Sequence, residues 1–179
     1  MRPTIITMQS SSGGNGISCC CCFRCCTCVN LNFLKTEIGV LKTLEIILGM
    51  ICHSLVLNFG TQYAGTIGSS YQSFLTIASW CTLTTTLLIV CYIVSPRSLG
   101  LIRQSLFETA FNTIAAFSYF TACSYLAYAV NMFLQPLALM SSMFQAYPAV
   151  STAYMLGTFV GILYGYDAWK SWTIYRNFR

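Results

Sequence analysis

The chain has 179 residues, of which 56% are hydrophobic and only 7% charged, with a formal net charge of +5. Such a composition is too apolar for an ordinary water-soluble domain, and the length leaves no room for a second folded one. Nucleic acid is excluded as a partner by the lack of a basic patch interleaved with aromatics anywhere but beside the apolar stretches.

Residues 1–31 are predicted to be a disordered cytosolic segment carrying a cysteine cluster. Met1 to Ser18 is rich in Ser and Gly and has little apolar surface to bury. It leads into CCCCFRCCTC, with thiols at Cys19, Cys20, Cys21, Cys22, Cys25, Cys26 and Cys28. Cytosolic cysteines close to a membrane span are acceptors for reversible palmitoylation. Each acyl chain adds about 0.8 kcal/mol per buried methylene, so two or more would pin the neck to the bilayer and favour thick, ordered lipid. Zinc is the weaker reading, because its ligands usually come as two spaced pairs in a folded knuckle, and this is one contiguous run with no second cluster and no nearby His. A reducing compartment also argues against disulfides.

Four apolar stretches follow, at Ile38–Phe59, Gln72–Val94, Leu106–Val130 and Ala149–Trp169. Each has about the 20 residues that a helix needs to cross a hydrocarbon core. The first starts too late, and is too long, for the apolar core of a cleavable signal peptide, so it is expected to act as a signal-anchor. Arg2, Arg24 and Lys35 precede it, Arg97 and Arg103 occupy the second link, and Lys170, Arg176 and Arg179 follow the last span. The links near Gly60–Tyr71 and Asn131–Pro148 carry no charge and no cysteine. Short loops rich in Lys and Arg stay in the cytosol. The predicted fold is therefore an all-α membrane protein, an antiparallel four-helix transmembrane bundle with both termini cytosolic. Its basic flanks would attract anionic lipid.

The spans carry few ionisable groups. Lys42 and Glu45, three apart in the first, can face each other. Glu108 opens the third span and Asp167 nearly closes the fourth, so all four are expected to form an intramembrane polar layer near the cytosolic edge, with Arg103 and Lys170 within reach. Charges within a bilayer are costly, which makes them functional candidates, but a transport path would need them at the midplane. His53, Asn112, Thr82, Thr84, Thr85 and Thr86 are expected to find interhelical or backbone hydrogen bonds.

In the fourth span Ala149, Ala153, Gly157, Gly161 and Gly165 recur every four residues. The ribbon they form lets two backbones approach closely, either within the bundle or against another copy or another membrane protein. Residues 170–179, with Trp172, Tyr175 and Phe178 among basic side chains, are expected to be a short tail at head-group level. No nucleophile, base and oxyanion set, phosphate loop or His–Glu metal pair occurs, so no catalytic, cofactor or metal residue is assigned.

From about Asn32 to Arg176 the chain resembles the MARVEL domain of MAL-related, physin and occludin-type proteins. The resemblance is carried by Leu41-Lys42-Thr43-Leu44-Glu45 in the first span and by Glu108 through Phe120 in the third, an acidic start followed by Asn112, the paired small residues Ala115 and Ala116, and aromatics. Tyr164-Gly165-Tyr166-Asp167-Ala168-Trp169 closes the fourth in a similar way. It implies a four-span domain over residues 32–176, with a role in vesicle trafficking, membrane apposition and fusion at the plasma membrane or on vesicles. It implies no catalytic residues. The short chain and cysteine run further resemble a family member that acts in myoblast fusion. The alternatives are a structural four-span component of a cell junction, and a channel or transporter.

Overall fold

The structure, a computed structural model, describes residues 31–95, 100–102, 105–140 and 145–178. The cysteine run Cys19–Cys28 and the segment expected to be disordered lie outside the described residues. Four helices are long and apolar enough to cross a membrane, over Glu37–Ile67, Ser69–Val94, Leu106–Met140 and Ala146–Asn177.

Their ends follow from local chemistry. α1 (Glu37–Gly60) is capped by Thr36, whose hydroxyl oxygen accepts from the Gly39 amide at 3.2 Å, and the acid of Glu37 sits in the first turn. Two short turns, Thr61–Tyr63 and Ala64–Ile67, lead to Gly68, whose φ of 66° reverses the chain. α2 (Ser69–Val94) ends at Ser95, which is extended as a residue before proline must be. α3 (Leu106–Ala129) starts from the Ser105 hydroxyl, which accepts from the Phe107 amide at 3.3 Å.

Beyond Ala129 the third span widens into a π turn, Val130–Leu134, and then continues as Gln135–Met140. Pro136 supplies the reason. It has no N–H to offer and its ring crowds the carbonyl one turn back, and a wider turn relieves both. α4 (Ala146–Phe178) carries Pro148 in its first turn, where an N–H would have no intrahelical partner. It does not stop at Trp169. The residues expected to form a short tail at head-group level continue the same helix to Phe178, because no Gly or Pro occurs after Gly165 to interrupt the hydrogen-bond ladder.

The main packing pairs are α1 with α2, α2 with α3, α3 with α4, and α4 back on α1. Short links make successive spans antiparallel and close a four-helix bundle. Its middle is filled by Phe74, Cys52, Cys81, Tyr119, Cys123 and Tyr164, all buried. Outward-facing positions carry Leu83, Leu87, Ile114, Phe117, Met155 and Ile162. Apolar side chains outside and charged ones inside is the arrangement a hydrocarbon solvent stabilises.

Just before α1, the turn Leu31–Lys35 is docked rather than free. Phe33 is buried with its ring edge-on to Tyr92 at 5.3 Å, and the Phe33 carbonyl lies against Gly39. A Cβ at Gly39 would stand 2.2 Å from that carbonyl oxygen, so only glycine allows this approach.

Candidate polar layer

α1 and α3 begin, and α4 approaches its end, at the same face of the bundle. Lys42 lies just over one turn and Glu45 just over two turns into α1, Glu108 lies in the first turn of α3, and Asp167 lies about three turns before the end of α4. All four side chains, and that of Asn112, have no exposed surface. Asn112 follows Glu108 by four residues, which puts both on one face of α3.

The Lys42 ammonium is the hub. It stands 2.6 Å from Asp167 Oδ2, 3.4 Å from Glu45 Oε2 and 3.8 Å from Glu108 Oε1, and it donates to Asn112 Oδ1 at 2.8 Å. Asn112 in turn donates through Nδ2 to Asp167 Oδ2 at 2.8 Å. One amide thus accepts from the cation and donates to its main counter-ion, tying α1, α3 and α4 together. The Phe111 and Tyr164 rings flank the ammonium, each with its centroid 5.8 Å from Nζ. Tyr164 then carries the network to α2, where its hydroxyl shares a 2.7 Å hydrogen bond with Thr85 Oγ1 and reaches the Cys81 carbonyl at 3.4 Å.

The layer is a lock on helix rotation and depth. A charge without its partners in a medium this apolar is expensive, so any helix that turns or slides must break several charge-assisted bonds at once. Nothing in it is arranged for bond-making chemistry, and no cluster among the described residues has the make-up of a metal site.

Lys170 takes a different partner from the one its spacing suggested. It pairs with Glu37 at the start of α1 and lies over the Tyr166 ring at 5.3 Å, while Tyr166 donates to Glu37 Oε1 at 3.4 Å. Glu37 had no assigned role in the sequence, although an acid in the first turn of a helix is a readable signal. The side chain of Arg103 lies outside the described residues. Thr84 and Thr86 donate to the carbonyls four residues back, at 2.8 and 2.7 Å. His53 is half-buried on α1, and no hydrogen bond joins it to a described residue.

The small-residue ribbon divides. Ala153, Gly157 and Gly161 are buried, whereas Ala149 and Gly165 are half-buried. A Cβ at Gly157 would meet Cys123 Sγ at 2.7 Å and the Phe74 ring at 3.0 Å, and one at Gly161 would meet Tyr119 Cβ at 3.3 Å. The centre of the ribbon is therefore filled from within the chain.

The pattern of the MARVEL family, a membrane-associating domain, matches residues 33–170. The chain is also 42% identical over 156 residues to Protein singles bar of Drosophila melanogaster, covering 87% of this chain and 89% of that protein. No solved structure matches.

Proposed function

The chain belongs to the MARVEL family of membrane-associating domains, and from that premise we propose that it organises membrane at sites of vesicle trafficking, apposition and fusion, myoblast fusion included. It is a multi-pass membrane protein, and the family is not an enzyme family. Both termini face the cytosol in this reading, the compartment is the plasma membrane or vesicles that reach it, and copies gather with one another or with other membrane proteins.

The observation that supports this best is the position of the polar groups. Lys42, Glu45, Glu108 and Asp167 meet at one end, while the middle of the bundle is packed with Phe74, Tyr119 and Tyr164. Such a body offers lipid a shaped, apolar surface, with those charged side chains held inside and away from the midplane. An acylated cysteine neck would add a preference for thick, ordered lipid, and shared preference would cluster copies where two membranes meet.

The neck gives a direct test. Hydroxylamine-sensitive acyl exchange is expected to label the wild-type chain, and replacing the seven cysteines from Cys19 to Cys28 by Ser removes the label. Equal labelling of the two proteins refutes acylation there. The wider reading is tested by a tagged copy at native level in fusing cells. It is expected on vesicles and at contact sites, with depleted cells adhering but failing to fuse. A continuous belt along lateral borders would favour a junction component instead, and solute flux in reconstituted vesicles would favour a channel.

A further inference from the structure

The spans do not end at a common level on the side away from the polar layer. Asp167 and Glu108 meet Lys42 from α4 and α3, at 2.6 and 3.8 Å, so the two acids mark one depth. Counting 1.5 Å per residue from Asp167, α4 reaches its first residue, Ala146, after about 31 Å, the thickness of a hydrocarbon core. The same distance from Glu108 along α3 ends at Ala129. Tyr128 and Tyr147 stand at this level, where an aromatic belt belongs. The helical chain nevertheless runs on through the π turn to Met140, about 16 Å further, while the head-group region adds only about 5–8 Å.

The two parts of this extension differ. Val130 and Leu134 of the π turn are fully buried, and the turn packs on Ala64–Ile67 and on α4, so it closes the end of the bundle. None of Gln135–Met140 is buried, and Leu139 and Met140 are 83% and 86% exposed. No charged residue occurs anywhere between Glu108 and Asp167.

We infer that Gln135–Met140 is a shallow wedge in this chain's own membrane, seated among the head groups and upper acyl chains of the leaflet opposite the polar layer. Its surface continues one that lipid already covers. Phe117, Tyr125, Tyr128 and Met132 are exposed along one side of α3 and lead up to it. Large apolar side chains left in water are unfavourable, and a protein partner in water would meet a polar rim around them. Acyl chains need no charged rim, which fits the uncharged sequence on both sides. The buried π turn also holds the segment within reach of its own leaflet, at a far higher effective concentration than any other apolar surface. A wedge in one leaflet widens that leaflet alone and makes its carrier sensitive to curvature. This position deepens the membrane-organising reading, on which any bearing on fusion rests.

The test is photolabelling of the full-length protein in phosphatidylcholine vesicles, with the diazirine of the probe lipid placed either near the glycerol or at the acyl-chain end. Mass spectrometry of the peptides reads the sites. Gln135–Met140 is expected to take the shallow label several-fold over the deep one. Ile114 and Phe117, near the midplane, are expected to show the reverse. Leu139→Glu combined with Met140→Glu should lose the shallow label and leave the denaturation midpoint unmoved, because neither residue is buried. An unlabelled segment in the wild type overturns the inference without recourse to the variant, and so does equal labelling of the two proteins. Protein-free vesicles carrying an isotope-marked shallow lipid are added in the same tube. Label from these alone overturns it by placing the segment in a facing membrane. Label that disappears as protein density in the vesicle rises overturns it by showing that a second copy covers the segment. Fusion plays no part in this readout, so a negative result leaves the fusion reading standing.

Discussion

Lys42→Met is expected to destabilise the bundle by about 3–5 kcal/mol, the cost of removing one partner from a buried ion pair. Methionine fills much of the same volume, so the loss is electrostatic rather than a cavity. Asp167 loses the cation at 2.6 Å, Asn112 loses the donor at 2.8 Å, and Glu45 and Glu108 lose the positive charge at 3.4 and 3.8 Å. None of these groups has exposed surface from which to recruit water. The denaturation midpoint in mild detergent reads the effect, and export from the site of synthesis should fall with it. Lys42→Met combined with Asp167→Asn should cost less than the sum of the two single changes, because the second change removes the carboxylate that sat 2.6 Å from the lost cation. Strict additivity would mean that the two side chains do not depend on each other, and the layer would not be the lock described above.

The four spans were legible in the sequence because hydrocarbon permits few backbone solutions. A long apolar run has to be a helix there, so hydropathy alone locates it. Helix ends are a weaker signal. Pro96 announces the end of α2 through Ser95, but nothing in Lys170–Phe178 opposes a helix, and a change in composition was no barrier to the ladder. The π turn before Pro136 was hidden for a related reason. A proline predicts trouble in the preceding turn, but whether the helix breaks or widens depends on what packs against it.

The acids and Lys42 could be placed at one depth by counting residues from the span ends, and the structure brings them together. Their partners could not be read in the same way. Lys170 lies three residues from Asp167, as Glu45 does from Lys42, yet its long side chain swings outward to Glu37. That choice depends on how α1 and α4 are rotated against each other, which no single helix encodes. Asn112 reads from sequence only as a polar residue in need of some partner, and its position between Lys42 and Asp167 requires three helices to be set at once.

Replacing the ribbon glycines of α4 one at a time by Ala is expected to give a graded series, not a uniform loss. A step of four residues advances about 400° around a helix, so each ribbon member drifts by about 40° from the last. The middle of such a ribbon faces a neighbour while its ends rotate out, as the half-buried Ala149 and Gly165 do. Gly157→Ala drives a Cβ to 2.7 Å from Cys123 Sγ and 3.0 Å from the Phe74 ring, and both side chains are buried with nowhere to go. Overpacking of this kind costs about 1–3 kcal/mol. Gly161→Ala meets Tyr119 Cβ at 3.3 Å and the Phe120 ring at 3.4 Å, and Phe120 is partly exposed and can yield. There the helix-forming advantage of Ala over Gly, up to about 1 kcal/mol, should nearly offset the crowding. Gly165→Ala meets nothing within 4 Å, so only that advantage remains and the variant should be slightly more stable. Denaturation midpoints should therefore rise in the order Gly157→Ala, Gly161→Ala, Gly165→Ala. If the ribbon instead served contact between copies, Gly157→Ala would abolish the oligomer and leave the monomer's midpoint unmoved, so measuring mass and midpoint on the same variant separates packing within the chain from packing between chains.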